Sequence, residues 1–307
     1  MGNNNSFHVK YRLAFDVGQG SANALLNCNG EPTLFVDIGC GSYRNGQTTP
    51  LDLILCSKFE ADIILSHWDT DHWAGARKFD SASGKTTFLK RRWFAPHDMN
   101  AGTSHIFFIK EILAAGGKIH LLEDGPWKQT HECSTGQEIS VMRPGPAGAN
   151  RNHSALVVEV QESKTSDKRW LVTSDVDYLY LKNAGYLNDD YAAMSVPHHG
   201  ASLAPNSPIP SPSTLNNTRL IYSFGPNNSY YHPRSSSIVE HEKAGWPHQG
   251  WLGNSLGVGP IRATACNAPG QAHLGSILVS WTPLTAVPSF SPCISGTNSC
   301  TNAFKQV

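Results

Sequence analysis

Between Leu65 and Gly75 the chain reads Leu-Ser-His-Trp-Asp-Thr-Asp-His-Trp-Ala-Gly, which packs four potential metal ligands into six residues directly after the apolar run Ile63-Ile64-Leu65. An apolar run of that kind reads as a buried strand, and the polar segment after it as a loop that carries chemistry. Side chains alternate faces in an extended segment. His67 and Asp69 can therefore point at one ion while Asp71 and His72, where the chain turns, reach a second roughly 3.5–4 Å away. The plain alternative is a polar strand-to-helix turn with Asp69 or Asp71 as an N-cap. So many His and Asp side chains are costly to bury without a cation, which favours the metal reading.

The chain has 307 residues, enough for a substantial core, and a single metal-centred α/β domain over residues 7–285 is expected, followed by an irregular tail at 286–307 rich in Ser, Pro and Thr. Lys plus Arg equals Asp plus Glu, at 24 each, so no bulk positive field exists to hold long nucleic acid, and any such contact must be local. The start, Met1-Gly2-Asn3-Asn4-Asn5-Ser6, lacks a basic and apolar leader pattern, and no run approaches the ~20 apolar residues that span a bilayer. A soluble cytoplasmic protein without a membrane partner is expected. Met1-Gly2 with Ser6 also fits the bare myristoylation pattern, but a disordered start explains the Asn run as well. The seven cysteines form no C-x-x-C pair, and their odd number argues against a complete disulfide framework, so most read as small buried residues. The sequence carries no signal for an oligomeric state.

Apolar or alternating runs at 9–15, 23–26, 34–36 and 63–65 read as successive strands, and a second series follows at 155–160, 170–173, 193–196, 219–224 and 276–281. Helical spacing is expected from Ser104 to Ala115, with Ile106, Phe107, Ile109, Ile112 and Leu113 as a core-facing stripe, and around 177–181. Two strand series with helices between them predict two sheets packed face to face and covered by helices, an αββα sandwich.

Further ligand candidates sit at the edges of these strands: His153 before one, Asp175 at the end of another, His198-His199-Gly200 after a third, and His232 in Tyr230-Tyr231-His232-Pro233 after a fourth. Singly, each histidine reads as a surface or capping residue. Loops gathered at one rim of a sandwich explain them together as a shell.

With these residues in view, the sequence resembles the metallo-β-lactamase superfamily, in the branch typified by the C-terminal domain of the ComEC competence protein and by phosphorylcholine esterase. The matching residues are Phe15-Asp16-Val17-Gly18-Gln19-Gly20, Val36-Asp37-Ile38-Gly39, His67-x-Asp69-x-Asp71-His72-x-x-Gly75, Ser174-Asp175, Val196-Pro197-His198-His199-Gly200, and Asn228 with Tyr231-His232-Pro233. The resemblance implies two divalent cations, Zn²⁺ or Mn²⁺. His67, Asp69 and His153 would hold one, and Asp71, His72 and a late histidine the other, with Asp175 bridging. The late ligand is His232 or His198, with His232 favoured, which leaves His198 and His199 to contact leaving or phosphoryl oxygens. Asp37 and Asn228 would stand behind the ligands, Asp37 orienting the ligand loop.

Three departures from the family pattern matter. Asp69 stands where many members have a second His, which makes the site more anionic and favours Mn²⁺ alongside Zn²⁺. Ser21 replaces an Asp after the Gly-Gln-Gly turn. His153 lies where Asn and Ser are more usual.

Two cations sharing a water lower its pKa toward neutrality, so the implied reaction is hydrolysis without a Ser or Cys nucleophile. The expected substrate is a phosphodiester, a nucleotide or short single-stranded nucleic acid. The stretch Lys85, Phe88, Lys90, Arg91, Arg92, Trp93 and Phe94 offers basic and aromatic contacts for one, or is a solvated strand edge. Hydrolysis of an ester, lactone or lactam is the alternative on the same fold, and a non-catalytic metal-binding interaction protein a third.

Overall fold

Alternation of β-branched and aromatic residues sets the architecture of this computed structural model, which describes residues 8–51, 55, 60–78, 88–97, 102–146, 150–215, 217–268, 270 and 272–284. Strands β1 (Tyr11–Ala14), β2 (Ala22–Leu26), β3 (Pro32–Ile38), β4 (Asp62–Ile64), β5 (Arg92–Pro96) and β6 (Lys118–Leu122) build one sheet. The second comprises β7 (Trp127–Glu132), β8 (Glu138–Arg143), β9 (Val157–Gln161), β10 (Arg169–Val172), β12 (Ala193–Ser195), β14 (Arg219–Tyr222) and β15 (Ile261–Ala263). Strands β11 (Asp190–Tyr191) and β13 (Ser211–Pro212) form a small parallel pair, and β16 (Ile277–Ser280) returns to the first sheet.

The first sheet runs β16-β1-β2-β3-β4-β5-β6, antiparallel up to β3 and parallel beyond it. The second runs β15-β14-β12-β10-β9-β8-β7, parallel from β15 to β10 and antiparallel from there. In the inner strands, successive residues serve different cores. Leu34 and Val36 point between the sheets while Phe35 points outward, and Trp170 and Val172 point between them while Leu171 points outward. Trp170 stacks on Trp281 with ring centroids 3.5 Å apart, which joins the two sheets through their shared core.

Helices α1 (Gly75–Lys78) and α2 (Thr103–Ala114) cover the first sheet, and α3 (Tyr178–Asn183) and α4 (Ser235–Lys243) the second. The molecule is the expected αββα sandwich. The face that α2 buries differs from the expected stripe: His105, Phe108 and Ile112 are buried, whereas Ile106, Phe107 and Leu113 are exposed. Phe108 sets the rotation of the helix, because its ring fills the gap between Trp73, stacked at 4.4 Å, and Trp93, edge-on at 5.2 Å.

The basic-aromatic stretch is also taken up by packing. Phe88 and Trp93 are buried, Arg92 pairs with Asp62 at 2.5 Å, and Arg91 reaches Glu60 at 3.6 Å. Lys85, the amino-terminal segment, Cys56, and the expected tail with Cys293 and Cys300 lie outside the described residues. Cys28, Cys40, Cys133 and Cys266 are free thiols. Among the described residues no helix is long and apolar enough to cross a membrane.

Strands β3 and β4 are parallel neighbours in one sheet, as are β10, β12 and β14 in the other. Asp37 lies near the carboxyl end of β3, the loops that leave β4, β10, β12 and β14 carry residues 66–72, Asp175, His198–His199 and residues 225–232, and these meet at one rim.

Candidate metal centre

The ligand loop after β4 is fixed before its histidines are aimed. Trp68 donates its ring N–H to the Pro96 carbonyl at 2.8 Å, and Trp73 donates to the Trp68 carbonyl at 2.9 Å. The Asp71 carbonyl accepts from the Ser21 N–H at 3.1 Å and packs directly over Gly39, where a Cβ would stand 1.8 Å from that oxygen. Only glycine allows this approach.

Asp37 lies behind the loop, fully buried and in the left-handed backbone region at φ 62. Its carboxylate accepts from the Ser66 N–H at 2.7 Å, from the Ser66 hydroxyl at 2.8 Å and from His72 Nδ1 at 2.8 Å. In the neutral form that a metal ligand requires, that last bond puts the His72 proton on Nδ1 and leaves Nε2 free to face forward as an acceptor. The single Ser66 proton goes to Asp37, so its oxygen accepts from the Ser174 hydroxyl at 2.6 Å and from His67 Nδ1 at 3.1 Å. His67 therefore also presents an unprotonated Nε2.

The opposite wall comes from the second sheet. His198 and His199 both adopt left-handed conformations, at φ 48 and φ 55, inside a turn closed by Gly200. Such backbone is strained for non-glycine residues and needs outside support. The His198 N–H donates to the Ser174 carbonyl at 3.0 Å, and the Arg234 N–H to the Gly200 carbonyl at 2.8 Å. His199 Nδ1 donates to the Ser223 carbonyl at 2.9 Å, which again leaves Nε2 as the acceptor.

Everything converges on Asp175, whose two oxygens face different imidazoles. Oδ2 lies 3.6 Å from His67 Nε2 and 3.6 Å from His198 Nε2, while Oδ1 lies 3.3 Å from His72 Nε2 and 3.8 Å from His199 Nε2. Asp69 adds an oxygen 3.6 Å from His67, and Asp71 one 3.4 Å from His199. The Nε2 atoms of His67, His72 and His199 are buried without a hydrogen-bond partner.

Burial opposes charge on each of these groups, and their neighbours overcome it. His198, His72 and His199 hold the Asp175 carboxyl well below the usual range; His199 and His72 hold Asp71 down, and His67 and His72 hold Asp69 down. In return, Asp175 and Asp37 raise His72 well above its ordinary value, and Asp175 and Asp71 raise His199. The donor set is chemically suited to divalent cations: imidazole nitrogens and carboxylate oxygens, with three buried nitrogens left unsatisfied. His67, His72 and Asp175 form one group of ligand atoms within 4.8 Å of one another, and Asp71, His72 and His199 another.

No family model matches this sequence, and no curated protein matches it either. Among solved structures the chain is similar to human tRNase Z, short form, at 14% identity and a TM-score of 0.37 over 62% of this chain and 78% of that one. It is also similar to a diphosphatase of the PhnP family, at 9% identity and a TM-score of 0.36 over 89% of this chain and 99% of that one.

Of the residues singled out from sequence, His67, Asp69, Asp71, His72, Asp175, His198 and His199 come together, with Asp37 directly behind His72. His153 does not join them. Its ring stacks on Tyr180 at 4.0 Å and its Nε2 meets Asn150 at 3.0 Å. In the tight turn Arg151–Ser154 it is the neighbouring Asn152 that turns inward and holds His198 Nδ1 at 3.2 Å.

His232 stands in a second row, its ring centre 5.6 Å from His198 and 6.4 Å from His199. Gln19 accepts from the Gly225 N–H at 3.3 Å, which orients its amide so that Nε2 donates to His232 Nδ1 at 3.2 Å. The His232 proton is therefore on Nε2, opposite to His72 and His199. Burial, then the charges of His199 and His198, push His232 down to about 3. Asn228 clamps this loop, donating to the carbonyls of Gly225 and His232 and accepting from the His232 N–H at 2.9 Å. Nothing in the sequence marks Ser66, Asn152 or Arg151 for these roles, and Gln19 stands out only within the stretch Phe15–Gly20. Gly18-Gln19-Gly20 was the one visible signal among them.

Proposed function

We propose that the chain is a metal-dependent hydrolase of phosphodiesters that works with two divalent cations, Zn²⁺ or Mn²⁺. The observation that carries this is Asp175, whose two oxygens face separate imidazole pairs while three buried Nε2 atoms around it lack partners. In this reading His67, Asp69 and His198 would hold one cation and Asp71, His72 and His199 the other, with Asp175 shared between them. His199 thus takes the place expected for His232 or His198, His198 takes that of His153, and His153 has no part.

When bound, the cations supply a water of lowered pKa and positive charge for the phosphoryl oxygens. The protein's own groups do the positioning. Asp37 and the Ser223 carbonyl hold the Nδ1 protons of His72 and His199, and Ser66 that of His67, so that each ring presents its lone pair. His232, neutral and protonated at Nε2, is a hydrogen-bond donor suited to a phosphoryl or leaving oxygen. Arg151, 3.3 Å from Asp69, offers a second donor at the same side of the centre. The extra carboxylate at position 69 favours Mn²⁺ at least as much as Zn²⁺.

The test is hydrolysis of bis(p-nitrophenyl) phosphate by protein reconstituted with Mn²⁺ or Zn²⁺, run beside a lactone and nitrocefin. Phosphodiester turnover that a chelator abolishes supports the reading. Turnover of the lactone or nitrocefin alone replaces it with carboxyl-group hydrolysis, and no turnover of any substrate removes catalysis.

A further inference from the structure

Three of the nine tyrosines are well exposed, and all three lie on the two loops that wall the metal centre: Tyr43 at 80%, Tyr230 at 49% and Tyr231 at 74% exposure. The other six are buried or half-buried. Tyr43 opens the tight turn Tyr43–Thr48, and Tyr230 and Tyr231 precede His232. The loops are knit together, since Asn45 accepts from the Ser229 N–H at 2.7 Å. Tyr43 and Tyr231 also occupy the left-handed region, at φ 49 and φ 59. Strained backbone that holds aromatic rings in solvent returns little to the fold, so a ligand is the natural source of the compensation.

The rings are close to the reacting centre. The Tyr43 hydroxyl meets Thr70 Oγ1 at 3.1 Å, inside the ligand turn itself. The Tyr230 ring centre is 5.6 Å from that of His232, and its hydroxyl lies within electrostatic reach of Asp71, Asp69, Arg44 and Tyr43. The Arg234 guanidinium sits 5.6 Å over the Tyr231 ring. None of these aromatic groups serves the cations.

We propose that Tyr230 and Tyr43 form the platform that receives the organic group of the substrate, and that this group is a single planar base, so that the substrate is a nucleotide-type phosphodiester. This rests on the hydrolase reading above. A flat base stacks on tyrosine irrespective of its sequence. Arg234 already covers the Tyr231 ring, which leaves Tyr230 and Tyr43 for the substrate, and the neutral chain disfavours a long duplex.

Two esters with one leaving group separate the possibilities: thymidine 5′-(p-nitrophenyl phosphate) and methyl p-nitrophenyl phosphate, compared by kcat/KM in metal-loaded protein. A parallel arm measures binding of thymidine 5′-monophosphate and methyl phosphate by calorimetry. The wild type should prefer the nucleoside compound in both arms. Tyr230→Ala should cut that preference about tenfold, within the range that base–aromatic stacking supports, and Tyr43→Ala should also reduce it. Tyr230→Phe, which keeps the ring, and Phe107→Ala, on the distant helix α2, should retain it. No preference in the wild type, or a preference untouched in both alanine variants, overturns the platform. If neither ester is turned over, the hydrolase reading fails by itself and the binding arm decides the platform: nucleotide preference lost with Tyr230→Ala keeps it, and equal binding removes it.

Discussion

Two sets of buried imidazoles, one beneath the second sheet and one at the rim where loops of both sheets meet, have opposite surroundings. Beneath the sheet, His241 and His248 turn Nδ1 to the carbonyls of Ser237 and Trp246, each at 2.7 Å, and accept at Nε2 from the hydroxyls of Tyr178 and Tyr222, each at 3.0 Å. At the rim, His199 makes the same Nδ1 bond to a carbonyl, and His72 one to Asp37, yet the Nε2 atoms have no such partner and face carboxylates. Burial pushes His241 down to about 4 and lowers His248, whereas His72 and His199 are raised by their acids. A buried histidine is thus no sign of a site in itself. The sign is an imidazole whose second nitrogen the fold leaves unsatisfied among carboxylates.

The contrast breaks most visibly at Asp175. Asp175→Ala removes the group shared by both halves of the rim cluster, and the several kcal/mol of transition-state charge stabilisation that the cations supply should go with it. At about 1.36 kcal/mol per tenfold, bis(p-nitrophenyl) phosphate hydrolysis should fall on the order of a thousandfold or more, in kcat. Residual activity within tenfold of wild type would show that the rim differs from the Tyr–His pairs only in appearance. Asp37→Asn is milder, since it keeps a hydrogen-bonding group behind His72 but removes its charge. Metal affinity should drop roughly 10–100-fold, read by competition with a chromogenic chelator.

The other side of the comparison is sharpened by Tyr178→Phe, which leaves His241 Nε2 buried and unpaired. Denaturant unfolding should show a loss of about 1–3 kcal/mol with unchanged metal content. A loss of metal instead would mean that the two regions are not separate. The same region also predicts a pH dependence. His241 titrates lower when folded than its ordinary value of 6.5, so in this range the unfolded chain binds more protons. Its contribution to stability is complete above pH 6.5 and is lost as pH falls toward 4, at up to about 1.4 kcal/mol per pH unit for one proton. The difference between wild type and His241→Gln, measured across that window on one metal-loaded stock, should show this slope.

The sandwich was legible where a strand carries a plain apolar run, as at 34–36, 63–65 and 170–172, whereas β5, β8 and β15 fall outside the expected strand series although Trp93, Ile139 and Ile261 are buried in them. Edge strands β6 and β7 were not legible, because Lys118–Leu122 and Trp127–Glu132 are largely exposed and need no apolar face. The ligand loop was legible because a strand end with two His and two Asp concentrates donors within one turn. The residues that aim them were not. Ser66 is one small polar residue beside a histidine, and its importance comes from Asp37, 29 positions away. The choice between Asn152 and His153 depends on the phase of a tight turn, which a one-residue offset reverses. The role of His232 depends on a proton position set by Gln19, 213 residues distant in sequence. The His198-His199 doublet was visible, but the left-handed backbone that turns both rings to the rim was not.

The central claim is a two-cation centre completed by His199, with His232 standing outside it. Elemental analysis of wild type, His199→Ala and His232→Ala after identical metal reconstitution tests it most directly. Two equivalents per chain in wild type, one in His199→Ala and two in His232→Ala is the expected result. A reproducible stoichiometry of zero or one in the wild type would contradict the dinuclear centre, and loss of an equivalent in His232→Ala with both retained in His199→Ala would reverse the two roles.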